Sequence, residues 1–460
     1  MGLMFAVIIV VLLLCIFLGA PVACSIGFTG VVTLLIFMGP NFLNQFGTIA
    51  YAQGTNMNQL IAPLFILMSE FLARGGIAED LYAVLNKYLR RFRGGLALST
   101  TLACTIFAAL CGSSPATAAS IGRISVGSMT KRGYDPAFAV GTVAGGGTLG
   151  IMIPPSITFV TYGILTETSI SKLLMAGLLP GIMLSALMCL SIIIRVAIKP
   201  ELAGVIKENV KNAKAQHEIM MGVQDNIAAV KEATVIEEPK TTVWQDLKLA
   251  IPALALIVVV LGAMYTGLAT PTESAGFGAI GAMLIVCLLG RMNWNTFKGA
   301  MEASARTGCM IIFLLIGGFC LSYVISYLGL AQKLASIIAG TGMSKWTIMI
   351  LLYILWFILG CLMDPGSMVI LTIPFVFETL TSLGFDPIWI GVVSTLCVEI
   401  GMITPPVGLN LFILRSSTGV EMTQIIKGAL PYCLVLLIGL IILNVFPQIA
   451  LWIPNMMSMG

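Results

Sequence analysis

Apolar segments of about twenty residues follow one another along almost the whole chain, separated by short polar turns. A helix of that length spans the hydrocarbon of a bilayer, and its backbone satisfies its own hydrogen bonds there. The segments are continuous and show no alternation of polar and apolar residues, which excludes a β-barrel. Only 10% of the 460 residues are charged and 58% are hydrophobic, with a mean hydropathy of +1.03, so polar surface is too scarce to coat a soluble body. The fold class that follows is an all-α polytopic membrane protein.

The spans expected in the first half are roughly 4–20, 23–39, 58–75, 136–165 and 174–197. Those of the second half are roughly 249–267, 273–290, 306–327, 387–414 and 430–453. The first twenty residues lack a basic leader, so they are expected to be a span and not a signal peptide. Between the third and fourth spans of each half lies a further apolar stretch, about 97–129 and 346–380, broken by CGSSPATAAS and LMDPGSMV. Each reads as a re-entrant helical hairpin, because a non-helical tip at membrane depth persists only where protein or water surrounds it.

The two halves share a register. Gly133, Asp135 and Pro136 fall on Gly384, Asp386 and Pro387; Gly150, Pro154 and Pro155 fall on Gly401, Pro405 and Pro406; Gly177 and Pro180 fall on Gly428 and Pro431. Five spans are an odd number, so the second copy must enter upside down, giving an inverted repeat of two five-span halves, as in secondary transporters. The expected organisation is 1–198 for the first repeat, 199–248 for a linker and 249–460 for the second repeat. Basic residues in KYLRRFRGG, MTKRG, the linker, GRMNWNTFK, Arg415 and Lys427 collect on one side, which is cytoplasmic by the positive-inside rule and leaves both chain ends on the other. Before each hairpin an amphipathic arm helix is expected, from Ile77 to Leu89 and, more weakly, from Leu328 to Ile338.

Two consecutive prolines in each of two apolar runs, GIMIPPS and GMITPPV, remove backbone donors and force the helices to unwind. Such breaks persist in hydrocarbon only where something polar takes up the freed groups. One expected cation site comprises Ser113, Ser114 and Thr117 at the first hairpin tip facing Gly147 and Thr148. A second comprises Asp364, Gly366 and Ser367 facing Glu399, Gly401 and Thr404. Pro154, Pro155, Ser156, Pro405, Pro406 and Asn410 are expected to line a substrate path. Asp364 and Glu399 are acids well inside apolar runs, where function is the default reading. The eleven cysteines are scattered singly, and the one histidine, His217, lies in the linker, so neither disulfides nor a histidine metal centre is expected. Neither HExxH nor a GxGD signature is present, which argues against an intramembrane enzyme.

The stretches GSSPATAASIG, KRGYDPAFAVGTVAGGGTLGIMIPPS, GLATPTESAGFGA and EIGMITPPVGLNLF resemble the hallmarks of the large membrane subunit of TRAP transporters, the tripartite ATP-independent periplasmic family. Pro115 in the first tip and the length of the linker depart from that pattern. The resemblance implies an elevator-type transporter of the ion transporter superfamily in a bacterial inner membrane, with sodium ions as coupling ions and no cofactor. It also implies a small four-helix membrane subunit, a soluble periplasmic binding protein, and an organic anion such as a C4-dicarboxylate, a sialic acid or a keto acid. No nucleic-acid partner is expected. The alternative is a stand-alone sodium/divalent-anion symporter, whose Ser-Asn-Thr tip motif is missing from GSSPAT and MDPGSM.

Overall fold

The computed structural model describes residues 2–204, 243–330, 332–333, 336, 340 and 342–457. Most of the expected linker, with His217, and much of the expected second arm helix lie outside the described residues. Every regular element among the described residues is helical. The first half runs α1 Gly2–Phe17, α2 Val22–Phe37, α3 Leu43–Gly54, α4 Ile61–Arg74, α5 Ile77–Leu89, α6 Gly95–Cys111, α7 Ser114–Lys131, α8 Pro136–Thr148, α9 Ile157–Thr166 and α10 Ile170–Ile198. The second runs α11 Val243–Tyr265, α12 Pro271–Leu288, α13 Trp294–Tyr327, α14 Lys345–Leu362, α15 Pro365–Ser382, α16 Pro387–Met402, α17 Leu409–Thr418, α18 Met422–Val445 and α19 Gln448–Met456.

Three boundaries differ from expectation. Helix α13 starts at Trp294 instead of 306, because its first turns carry charge and do not register as a hydropathy run. The last expected span begins earlier, at Met422, and breaks at Phe446–Pro447 into α18 and α19. Helix α11 starts at Val243, inside the linker boundary drawn at 248. Helix α3, rich in Asn, Gln and Gly, was not expected at all.

Helix ends in the two halves follow one offset. Adding 251 to the bounds of α7 gives those of α15, and adding it to Pro136–Ile151, α8 with its 3₁₀ turn, gives those of α16. Local chemistry fixes these starts. Asp135 and Asp386 each accept a backbone N–H from the first turn that follows, at 2.8 Å, and each precedes a proline whose missing donor costs nothing there. Ser113 and Asp364 cap α7 and α15 in the same way.

The halves interlock. A Cβ on Gly428 of α18 would lie 1.9 Å from the Ala137 carbonyl of α8, and one on Gly141 would lie 2.1 Å from the Gly428 carbonyl, so the two backbones touch where only glycine fits. Helix α9 packs on the second hairpin, Tyr162 against Phe377, and α17 packs on the first, Leu414 against Gly122. The first turn of α8 meets the last turns of α10, with Arg195 over the Phe138 ring at 4.8 Å. Helix α16 instead meets the first turns of α10, through Leu173 against Gly391. The two equivalent helices therefore start at opposite ends of α10, which is about 43 Å long.

The expected first arm is α5, bent by 61° from Met57–Arg74 at Gly75 and Gly76. Gly76 adopts a left-handed φ of 76°. Arg291, between α12 and α13, donates to the carbonyls of Gly75 (2.9 Å) and Gly76 (3.3 Å) and in a fork to Asp80 (2.6 and 3.0 Å). That hydrogen-bonded carboxylate holds the Arg291 guanidinium above its ordinary pKa, so the corner stays charged. Ile77, Leu81 and Tyr82 then lay the apolar face of α5 against the bundle.

Candidate functional site

Both expected breaks are present. Between α8 and α9 the chain unwinds through Met152–Ser156, and between α16 and α17 through Ile403–Gly408; Pro154–Pro155 and Pro405–Pro406 are both cis. Each break leans on the hairpin tip of its own half. Ile157 N–H donates to the Gly112 carbonyl at 3.5 Å, and its equivalent, Gly408, donates to the Cys361 carbonyl at 2.9 Å. Side chains take up further freed carbonyls: Ser156 Oγ donates to Ile151 O at 2.6 Å, and Thr404 Oγ1 to Ile400 O at 2.6 Å. Close approach requires small residues here. A Cβ on Gly150 would lie 2.6 Å from the Ser113 carbonyl, and one on Gly401 would lie 2.5 Å from the backbone of Gly360.

The two breaks differ in access. Pro154, Pro155 and Ser156 are buried, whereas Pro405 is half-buried and Pro406 and Val407 are exposed. Of the expected path residues, only the second pair reaches the surface in this conformation.

Several expected ligands are occupied locally. Thr117 Oγ1 donates to its own helix at Ser113 O (2.9 Å), and Thr148 Oγ1 donates to Gly145 O (2.6 Å). Gly147 lies on Ala118, one turn into α7. At the second tip Asp364 accepts the Ser367 backbone N–H at 3.0 Å and also the Ser367 hydroxyl, with Gly366 beside the carboxylate. Asp364 is half-buried while its carboxylate caps α15.

Residues drawn from the two expected sites and the expected path meet each other. Asn410 Nδ2, at the start of α17, donates to Ser114 Oγ at 2.7 Å, and Ser114 Oγ donates to Glu399 Oε2 at 3.2 Å. All three residues are at most 1% exposed. Asn410 Oδ1 is buried with no hydrogen-bond partner, and Glu399 Oε1 has none of good geometry, the Ile151 backbone N–H lying beside the Glu399 carboxylate. The positions 251 residues away hold Thr148, Phe159 and Pro365, so no second trio of this kind stands at that offset. Sequence reasoning named every member but assigned them to separate sites, since Ser114 and Glu399 are 285 residues apart.

A polar cavity of about 440 Å³ lies at another place between the halves. It is lined by Gln53, Asn56, Asn58, Glu167, Thr168 and Ser171, among others, and reaches Pro271 and Phe319. It adjoins the end of α9 and not the buried cluster.

Hairpin tips that fill interruptions in membrane helices, around buried oxygens left without a well-formed hydrogen bond, define a membrane transporter and not a scaffold or a soluble enzyme. Residues 9–449 match the family described as "Tripartite ATP-independent periplasmic transporter, DctM component", and the chain belongs to that family, as the large permease of a TRAP transporter. It is 32% identical over 438 residues to the C4-dicarboxylate TRAP transporter large permease protein DctM of Pseudomonas aeruginosa, covering 95% of each chain. It is 28% identical to the ectoine/5-hydroxyectoine large permease UehC of Ruegeria pomeroyi, over 96% of this chain and 98% of that one. The isethionate TRAP transporter permease protein DctMQ of Oleidesulfovibrio alaskensis is 29% identical; the match covers 94% of this chain but 64% of that one. Among solved structures, the Alcanivorax borkumensis YdaH transporter superposes with a TM-score of 0.60 at 19% identity, over 90% of each chain, a likeness of fold.

Proposed function

We propose that this permease imports an organic anion, coupled to sodium entry, by moving the two hairpins, the interrupted helices and the spans α10 and α18 locked against them as a unit against the remaining spans. The observation that carries the reading is the Ser114, Glu399 and Asn410 cluster. It joins the first hairpin to the second interrupted helix and leaves two enclosed oxygens, Glu399 Oε1 and Asn410 Oδ1, without a well-formed hydrogen bond. A carboxylate oxygen, an amide oxygen and a hydroxyl are the hard donors that a sodium ion takes. Asp364, half-buried, and Ser367, buried, at the second tip are the other candidate cation ligands, with Gly366 allowing close approach.

The exposed Pro406 and Val407 beside Asn410 would lead the anion to this region, and Pro154, Pro155 and Ser156 would line the path when the unit has moved. The opposed starts of α8 and α16 on α10 support an inverted arrangement of residues 1–198 and 249–460. The side bearing Lys131 and Arg415 would then face the cytoplasm, with both chain ends opposite. Relatives named for C4-dicarboxylates, ectoine, isethionate and sialic acid leave the anion itself open. The remaining members of the assembly are a small four-helix membrane subunit and a soluble periplasmic binding protein.

The test is reconstitution with a sodium gradient, with and without the binding protein. Asp364→Ala is expected to abolish uptake while the protein remains inserted; wild-type uptake in that variant would remove Asp364 from the mechanism. Cysteines placed near Ser114 and Ser367, at the partly exposed Ala116 and Gly366, in a cysteine-free background should react with impermeant reagents from opposite faces. Uptake by the permease alone would make the stand-alone symporter the better reading.

A further inference from the structure

The outward side of α7 is not clothed for lipid. It runs from beside the Ser114 tip towards Lys131 through Ala116, Ala119, Ser120, Arg123 and Gly127, all partly or fully exposed at the spacing of one helix face. Helix α14 shows the contrast, with Ile350, Leu351, Ile354, Leu355 and Ile358 on its surface, as suits a helix that meets hydrocarbon. No large apolar side chain of α7 is exposed. A guanidinium among alanine, serine and glycine is at rest where water reaches it, so this face borders an aqueous crevice.

Arg123 stands midway along α7, roughly 12–14 Å from both the Ser114 tip and Lys131. Gly122, the residue before it, packs on Val143 of α8 and on Leu414 and Thr418 of α17. Arg415 follows Leu414 and is exposed as well, which puts a second guanidinium on the adjoining helix at the level of the first. Neither side chain has a hydrogen bond or an ion pair among the described residues. The positions 251 residues away hold Pro374 and Ile164, so the two cations have no counterparts there and stand at one mouth only.

We propose that Arg123 and Arg415 form a carboxylate site at the mouth on the Lys131 side, which takes the organic anion as it leaves the region of Ser114, Glu399 and Asn410. The site deepens the import reading above and rests on it. Helix α17 begins just after the exposed Pro406 and Val407, so one short helix joins the substrate path to Arg415. Guanidinium N–H groups match a carboxylate as a fork, and cations in a protein-walled crevice concentrate an anion there. The small side chains of Ala116, Ala119 and Ser120 leave it room to pass. An anionic lipid headgroup carries the same charge, but its acyl chains would meet no apolar surface on α7.

The test uses the full chain in inside-out membrane vesicles, cysteine-free apart from Ala119→Cys, one turn from Arg123. Labelling rates are compared for two impermeant methanethiosulfonates, one bearing a sulfonate and one a trimethylammonium group. Both should react from this face, and the ratio of the anionic to the cationic rate should fall roughly fivefold with Arg123→Gln, further when Arg415→Gln is added, and hardly at all with Arg123→Lys. Succinate, compared with chloride at equal ionic strength, should slow the anionic reagent about twofold or more in the parent and not in the double variant. Labelling by neither reagent, labelling only from the opposite face, a ratio indifferent to both arginines, or a lack of protection by succinate would overturn the proposal. So would a ratio that drops only when phosphatidylglycerol replaces phosphatidylcholine in reconstituted vesicles, since a lipid headgroup would then be the occupant. If ratio and protection behave as expected while the parent shows no sodium-driven uptake, the carboxylate site stands and the import reading falls.

Discussion

Replacing Ser114 by alanine tests whether the buried cluster is a unit. The hydroxyl is the middle of a chain, taking a hydrogen bond from Asn410 and giving one to Glu399, with all three residues sealed from solvent. Its removal leaves the Asn410 amide and Glu399 Oε2 unsatisfied, beside Asn410 Oδ1 and Glu399 Oε1, which already lack a well-formed hydrogen bond. An orphaned buried polar group costs about 1–3 kcal/mol, which for two groups sums to roughly 2–6 kcal/mol. Interhelical hydrogen bonds inside membranes have measured worths nearer ~0.6 kcal/mol, and the amide can relax toward the carboxylate, so the expected net cost is about 1–3 kcal/mol. That is a sizeable share of a total stability of roughly 5–15 kcal/mol. The assay is thermal unfolding in mild detergent alongside sodium-driven uptake in liposomes, for Ser114→Ala, Asn410→Ala and the double variant. Once one partner is gone the second removal loses less, so the double variant should be less destabilised than the sum by about 1 kcal/mol. Thr117→Val is the comparison, because its hydroxyl donates to the Ser113 carbonyl and takes no part in the Asn410–Ser114–Glu399 chain, and it should stay within about 0.5 kcal/mol of the parent. Strict additivity, or Ser114→Ala with the melting point and uptake of the parent, would refute the reasoning.

Three further outcomes are expected. Gly428→Ala forces a methyl into the Ala137 carbonyl and should lower the melting point by the equivalent of about 1–3 kcal/mol, with poor insertion for anything larger; a fluorescence-detected melting curve reads this directly. Arg291→Lys keeps the charge but loses the fork on Asp80 and the two carbonyls; since the pair is partly solvated, a cost near ~1 kcal/mol is expected, with slower uptake and unchanged sodium affinity, read from initial rates against sodium concentration. Asp364→Asn retains an oxygen to cap α15, so it should melt within about 1 kcal/mol of the parent yet fail in sodium-driven uptake, which separates the cap from the charge.

Much of the architecture was legible because its punctuation is chemical. Gly112 and Ser113 at one tip, Asp364 at the other, and the two Asp-Pro starts each mark a helix end by a donor supplied or a donor missing, and the structure places ends there. Hydropathy failed where helix and apolarity part company. The first turns of α13, from Trp294, carry Lys298 and Glu302 and fall outside the expected span, while α3 is too polar to register. The site was half legible. Single residues could be singled out by the cost of placing them in an apolar run, but which of them face each other depends on how the halves interlock. Ser114 sits one residue after the Ser113 cap, and nothing in its neighbourhood announces Glu399.

The touching backbones of Gly141 and Gly428 also set a timetable for synthesis. Between the two glycines the ribosome must add 287 residues, the difference 428 − 141. At about 5–20 residues per second this takes roughly 15–60 s, during which α8 is already made and its glycine furrow has no partner. The first half therefore cannot reach its final packing as it emerges, and whatever holds α8 in the interval, lipid, insertase or a provisional neighbour, has to yield when α18 arrives.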